Sequence, residues 1–304
     1  MERERGSARA PDRTGIVERD GVQLSYAVYG GGETTVLLMP TWSILHSRFW
    51  KAQVPYLSRR HRVLTFDGRG SGRSSRPTGA AAYANTEFAA DALAVMDATG
   101  TDQAVLVALS CGVPWAVQVA AANPDRVLGL FAIGSSCGFA IAHPHRTQFP
   151  WEQRRDSATG WATYNRHIWL HGDFAGFRRF FFAQMFSEPH STKQIEDALD
   201  WSSDISPQTL VDTTAGRIGG GESVRERFEV ACRDVRCPVS VVHGTDDLIS
   251  PPAQGEHLAL LTGGSLTLIE GGGHGLMARD PVRINTMIHE FVHRVSPTAP
   301  TDTP

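Results

Sequence analysis

Short runs of apolar, β-branched residues recur along this 304-residue chain, with helical patterns in the intervals between them. Thr35–Met39, Arg62–Phe66, Ala104–Leu109 and Val127–Ile133 come first, and Val239–His243 and Ser265–Ile269 resume the rhythm late. The runs are continuous and not alternating, as expected of strands covered on both faces. Such strands, separated by helices, predict an α/β fold with a mostly parallel central sheet and helices on both faces. An opening hairpin is also expected, because Gly15–Arg19 and Val22–Tyr29 flank Asp20-Gly21, a dipeptide that tolerates positive φ. Helical faces are read near Phe49–Leu57, over Thr86–Ala98 and over Cys111–Ala122. Near the end, Ile284, Met287, Ile288, Phe291 and Val292 share a face at helical spacing.

Between about Gly138 and Val230 this rhythm stops. The stretch is helical in character and rich in Trp and Phe, with Phe177, Phe180, Phe181 and Met185 expected on one helix face. It reads as a helical cap inserted over the C-terminal edge of the sheet. That divides the chain into a core of 14–137 and 231–296 and a cap of 138–230. Most cap aromatics are expected to form a satellite core, with a few such as Trp151, Trp161 and Phe181 facing a ligand. The ends, 1–13 and 297–304, are too poor in apolar residues to repay ordering and are expected to be mobile.

Composition excludes several function classes. Net charge is −3 with the two signs mixed, which gives no footprint for nucleic acid and no polybasic run for lipid. No apolar stretch approaches a membrane span, and the charged N-terminus lacks a secretory apolar region. The four cysteines, Cys111, Cys137, Cys232 and Cys237, form neither a C-x-x-C pair nor a disulfide framework. A cytoplasmic location and a small-molecule substrate are expected, and the oligomeric state is left open.

Chemistry concentrates where strand Ala104–Leu109 runs directly into a helix through Ala108-Leu109-Ser110-Cys111-Gly112. A turn this tight needs small residues two before and two after its serine, and Ala108 and Gly112 satisfy that. Such a turn lifts the Ser110 hydroxyl clear at the sheet edge, beside the N–H groups of a helix N-terminus. Small-x-Ser-x-small is by itself close to a chance match; its weight comes from the strand before, the helix after and the partners downstream. Val239–His243 leads into Gly244-Thr245-Asp246-Asp247, and Ser265–Ile269 leads into Glu270-Gly-Gly-Gly-His274-Gly275. Ser, then acid, then His is a recognised chain order for a nucleophile, its orienting carboxylate and its general base. The acid falls on Asp246 or Asp247, and the glycines beside His274 are expected to let its loop swing the imidazole over Ser110.

An oxyanion hole needs two aimed N–H donors. One is expected from the amide of Cys111 and the other from the loop after Thr35–Met39, where Pro40 has no N–H and Trp42 is the choice by position. His143 and His145 lack neighbouring Cys or Asp at ligand spacing, so no metal is expected. The glycine-rich Asp67–Ser74 lacks the Gly-Lys-Ser/Thr ending of a phosphate loop and reads as a structural turn. No cofactor is expected.

The Ser110 turn, the HGTDD and GGGHG loops and the DGRGSGRS turn together resemble the α/β-hydrolase superfamily over roughly residues 14–296. The tracts PTWSILHSRFWKAQVPYLSRRHRVLTFDGRGSGRS and SEPHSTKQIED are similar to a bacterial subgroup found alone or joined to adenylate/guanylate cyclase domains. The resemblance places the acid at Asp247. It sets the second oxyanion amide after a His-Gly pair, which is Pro40-Thr41 here. Relatives that open epoxides or displace halide carry Asp at the turn, and Ser110 argues against both reactions. The implied activity is hydrolysis of an ester, lactone or thioester of an apolar or aromatic molecule through Ser110, Asp247 and His274. Carbon–carbon bond hydrolysis or perhydrolysis by the same triad is the first alternative. A ligand-binding or signalling protein with little turnover is the second.

Overall fold

A computed structural model describes residues 9–155, 157–218 and 221–296. Its centre is one eight-stranded sheet in the order β1-β2-β4-β3-β5-β6-β7-β8. The strands are β1 (Arg13–Arg19), β2 (Val22–Tyr29), β3 (Thr35–Leu38), β4 (Arg62–Phe66), β5 (Ala104–Leu109), β6 (Val127–Ile133), β7 (Val239–Gly244) and β8 (Ser265–Ile269). β1 and β2 form the expected antiparallel hairpin and β2 joins β4 antiparallel; every later pairing is parallel. β3, β5 and β7 are buried along their whole length, as their unbroken apolar runs require.

The sheet edges depart from that reading. β8 is an edge strand whose Leu266 and Leu268 reach solvent. Its apolar run looks like that of an interior strand because sequence does not record which strands have a neighbour on each side. At the other edge, residues 9–12 are not loose. The Asp12 amide donates to the Val28 carbonyl at 2.9 Å, and the Asp12 carboxylate accepts the Gly30 N–H at 2.6 Å. Arg13, the last residue of the expected tail, opens β1, while residues 1–8 and 297–304 lie outside the described residues.

The helix expected near Phe49–Leu57 is two short pieces, a 3-10 turn Ser47–Trp50 and a helix Val54–Leu57. Between β6 and β7 lie the helices Pro144–Thr147, Arg166–His171, Phe174–Met185, Thr192–Trp201, Pro207–Ile218 and Gly221–Asp234. The expected boundary at 230/231 falls inside the last of these, which packs on the helix Gly112–Ala122 of the core. On Phe174–Met185 the buried face is Phe177, Phe181, Phe182 and Met185, while Phe180 turns outward against Trp161.

The turn 67–74 is structural. Asp67 accepts from the Ser47 amide and hydroxyl at 2.9 and 2.7 Å and from the Arg73 amide at 2.9 Å. Arg69 grips Asp91 through two hydrogen bonds of 2.7 Å, in the forked geometry that suits a guanidinium and a carboxylate.

A histidine pair gives the fold a pH dependence. His61 Nε2 lies 3.0 Å from His289 Nδ1, and burial, with His289 and Arg60 nearby, pushes His61 down to about 4. The folded state therefore binds its proton later than the unfolded chain does. The stability this contributes is whole above about pH 6.5 and is lost as pH falls from there towards 4. Thermal melts between pH 7.5 and 4.5 should show a loss to which His61 contributes up to about 2 kcal/mol. His61→Asn should remove that share while the smaller contributions of His46, His143 and His289 remain.

Candidate active site

Ser110 closes β5 and enters the helix Gly112–Ala122 with no intervening loop. Its φ is +55°, a left-handed conformation that costs a non-glycine residue roughly 1–2 kcal/mol. The strain is held by the sheet: the Ser110 amide donates to the Ile133 carbonyl of β6 at 2.9 Å, and its carbonyl accepts the Val113 N–H at 3.1 Å. Gly112 is needed because a Cβ there would sit 2.3 Å from the Pro40 carbonyl. The turn thus presses against the loop that holds Thr41 and Trp42, and Thr41 Oγ1 donates back to the Leu109 carbonyl at 3.0 Å.

The loop after β7 separates the two adjacent acids. Asp246 is exposed and accepts only the Thr245 hydroxyl, at 3.0 Å. Asp247 is buried, and every edge of its carboxylate is occupied. Oδ1 accepts the Ile249 and Ser250 amides at 2.8 and 2.9 Å, while Oδ2 lies 2.7 Å from His274 Nδ1 and 3.1 Å from His243 Nε2. Burial alone would raise the Asp247 carboxyl, but His274 and His243, by charge and by hydrogen bond, outweigh it and hold the group well below the usual carboxylate range. It therefore stays ionised through ordinary assay conditions. The stability this contributes is present above about pH 4 and lost as pH falls towards the folded value.

The His274 loop is pinned, not free to swing. Glu188 Oε1 accepts the Gly273 amide at 2.8 Å, the Gly275 amide donates to the Met185 carbonyl at 3.1 Å, and Gly272 accepts the Asp246 amide at 2.9 Å. The glycines serve close approach, since a Cβ on Gly275 would meet the Phe186 ring at 2.1 Å.

Ser110, Cys111, Trp42 and His274 line one narrow pocket. In this arrangement the Ser110 hydroxyl points to Cys111 Sγ, 3.9 Å away. Among the described residues, neither the Trp42 nor the Cys111 amide is spent on a backbone carbonyl of a turn or loop. Phe181 is on the pocket wall, but Trp151 and Trp161 are not: Trp151 packs on Tyr164 and Trp169, and Trp161 on His145 and Phe180. The indole of Trp42 joins the same aromatic cluster through Tyr164, Trp169, Phe177 and Phe181. A larger open groove lined by Tyr29, His46, Lys51 and Trp201 contains neither Ser110 nor His274.

His143 and His145 are not part of any group of three or more His, Cys, Asp or Glu side chains placed to hold a metal ion among the described residues. They dock the inserted segment on the acid loop instead. His143 Nε2 is 2.7 Å from the Asp247 carbonyl, His145 Nε2 is 3.4 Å from that of Leu248, and Arg146 donates to that of Ile249. The four cysteines are free; burial raises Cys137, Cys232 and Cys237, the last two to about 12 and 11. Sequence reading missed His243, Glu188, Arg146 and Arg217 at this site. Only His243 left a signal, as the last buried side chain of β7 before the acid loop.

A family model described as the alpha/beta hydrolase fold matches residues 30–281. The chain belongs to that family. RutD of Caulobacter vibrioides, which carries the name of a carbamate hydrolase, is 25% identical over 277 residues, covering 88% of this chain and 95% of that protein. The enol-lactonase of Burkholderia xenovorans superposes with a TM-score of 0.74 at 20% identity, covering 92% of this chain and all of that one. The esterase RhEst1 of a Rhodococcus species gives 0.73 at 22%, covering 93% and 99%. At such identities the two structures speak for the fold alone. No helix among the described residues is long and apolar enough to cross a membrane.

Proposed function

We propose that this hydrolase cleaves an ester, lactone or thioester of a small, mainly apolar molecule through an acyl-enzyme on Ser110. The observation that carries the reading is the buried pair Asp247–His274, joined at 2.7 Å, opening into the same pocket as a strained serine at a strand-to-helix joint. The contact of Asp247 with Nδ1 assigns the proton to that nitrogen and leaves Nε2 free to accept. A rotation about the Ser110 side-chain bond, from Cys111 Sγ to His274, makes the hydroxyl a nucleophile; catalytic hydrogen bonds often tighten only with substrate bound.

Attack by Ser110 Oγ on the carbonyl carbon passes the hydroxyl proton to His274 Nε2. The oxyanion is held by the amides of Cys111 and Trp42. Collapse of the intermediate expels the leaving group, which takes that proton. Water then loses a proton to His274 and attacks the acyl carbon; collapse breaks the bond to Ser110 Oγ, which takes the proton back from His274 as the acid leaves. A carbamate carbonyl, suggested by the name RutD carries, is open to the same attack. The segment 138–230 serves as the cap, supplying Arg146, Tyr164, Phe181, Met185 and Arg217 to the pocket wall.

A panel of p-nitrophenyl esters, a γ-lactone, a thioester, a carbamate and a vinylogous diketone tests this. Turnover of roughly 1–10³ s⁻¹ on an ester, lactone or thioester is expected. Turnover of the diketone alone supports carbon–carbon hydrolysis instead. Rates below about 10⁻³ s⁻¹ throughout, with tight ligand binding, support the non-enzymatic reading.

A further inference from the structure

Arg146 and Arg217 both stand on the wall of the Ser110 pocket, and no carboxylate side chain lines it with them. Arg146 comes from the helix Pro144–Thr147 and Arg217 from Pro207–Ile218, so two separate elements bring cations to one place. Their direct contacts are neutral, and Asp247 acts on Arg146 only at a distance. The Arg146 guanidinium sits 4.8 Å from the ring centre of Trp161 and 5.2 Å from that of Tyr164, and donates to the Ile249 carbonyl. Arg217 Nη2 donates to the Tyr164 hydroxyl at 3.0 Å, and its Nε is buried with no hydrogen-bond partner among the described residues.

Arg62 and Arg178 are also half-buried with neutral partners, Thr35, Thr99 and Thr101 for the first and Ser202 for the second, but they stand apart from each other and outside this pocket. The arginines that are brought together elsewhere are paired by carboxylates. Arg69 and Arg19 share Asp91, and Glu87 joins them. Arg146 and Arg217 are half-buried and near enough for each charge to disfavour the other, and a guanidinium partly withdrawn from water is stabilised by an anion or a full set of acceptors. For Arg146 and Arg217 the described residues supply no ion pair. The missing partner fits an anion that arrives from outside, and the planar fork of a guanidinium matches a carboxylate.

We infer that Arg146 and Arg217 bind a free carboxylate on the substrate, so that the preferred ester or lactone is a small monoanion. This rests on the reading of Ser110 as nucleophile. Ile44, Leu45, Leu109 and Met185 line the same pocket and suit a short apolar spacer between the scissile carbonyl and the anion. The two arginines act in binding and take no part in bond making.

Substrate pairs differing only in that charge test the inference. p-Nitrophenyl hydrogen glutarate against its methyl ester places the carboxylate on the acyl arm. 4-Acetoxybenzoate against methyl 4-acetoxybenzoate places it on the leaving group. The native enzyme should favour the anionic member of one pair by about 10-fold or more in kcat/KM, and added salt should weaken the preference. Arg217→Gln should bring the anionic-to-neutral ratio of kcat/KM to within about two-fold of one, chiefly through a higher KM for the anionic member, while Arg217→Lys restores part of the ratio. Equal or faster turnover of both neutral members, or an equal loss on both members in Arg217→Gln, overturns the inference. If neither pair turns over, free glutarate and 4-hydroxybenzoate are tested for slowing fluorophosphonate labelling of Ser110. Protection by either in the native protein and not in Arg217→Gln supports the carboxylate site; labelling without protection overturns it alone. Failure of Ser110 to label removes the nucleophile reading, and the inference with it.

Discussion

Replacing Ser110 by Ala is expected to lower kcat/KM for any hydrolysed ester by about 10⁴–10⁶-fold, leaving only what binding and the oxyanion amides supply. The backbone adds a second, opposite expectation. Ser110 is held at φ +55° by its hydrogen bonds to β6 and to Val113. Glycine adopts that conformation without the clash of a Cβ, so Ser110→Gly should be as inactive as Ser110→Ala yet more stable by about 1 kcal/mol. A thermal melt beside the kinetic assay separates the two effects. A loss of stability in the glycine variant would mean that the turn is not strained.

Asp247→Asn is expected to lower kcat by about 10⁴-fold while the protein still folds. The reason lies in how the carboxylate is held. The amides of Ile249 and Ser250 both donate to Oδ1, so the carbonyl oxygen of an asparagine belongs there and its NH₂ turns towards His274. That group donates, which forces His274 Nδ1 to accept and moves the ring proton to Nε2, the nitrogen that must take the serine proton. His243 keeps its contact with the Ser250 carbonyl at 2.9 Å, so the acid loop stays tied to β7. Asp246→Asn is the control: its carboxylate is exposed, and less than a two-fold effect is expected.

Much of this arrangement was legible in the sequence because parallel strands buried on both faces need unbroken apolar runs. Those runs mark β3 to β7, and the ends of β5, β7 and β8 then locate Ser110, Asp247 and His274. Adjacent positions were harder. Asp246 and Asp247 differ only in which way the loop presents them, and that is set by a long-range contact. Gly244 lies so close to the 272–273 loop that a Cβ would meet the Gly272 carbonyl at 2.1 Å. The inserted segment was least legible. Its aromatics have the same periodicity whether they face a pocket or one another; Trp151 faces Tyr164 and Trp169, and Trp161 faces His145 and Phe180. Arg146 directly follows the two histidines weighed as a metal pair, His143 and His145. Nothing in a sequence tells that Arg217, unlike Arg69, meets no carboxylate among the described residues.

The account stands or falls on where the acyl group is carried. Mixing the protein with a p-nitrophenyl ester, quenching in acid within milliseconds and sequencing its peptides by mass spectrometry reads this directly. The expected result is one acyl group per chain, on Ser110, absent from Ser110→Ala. Hydrolysis without any acylated peptide, or acylation of neighbouring Cys111 in place of Ser110, would contradict it.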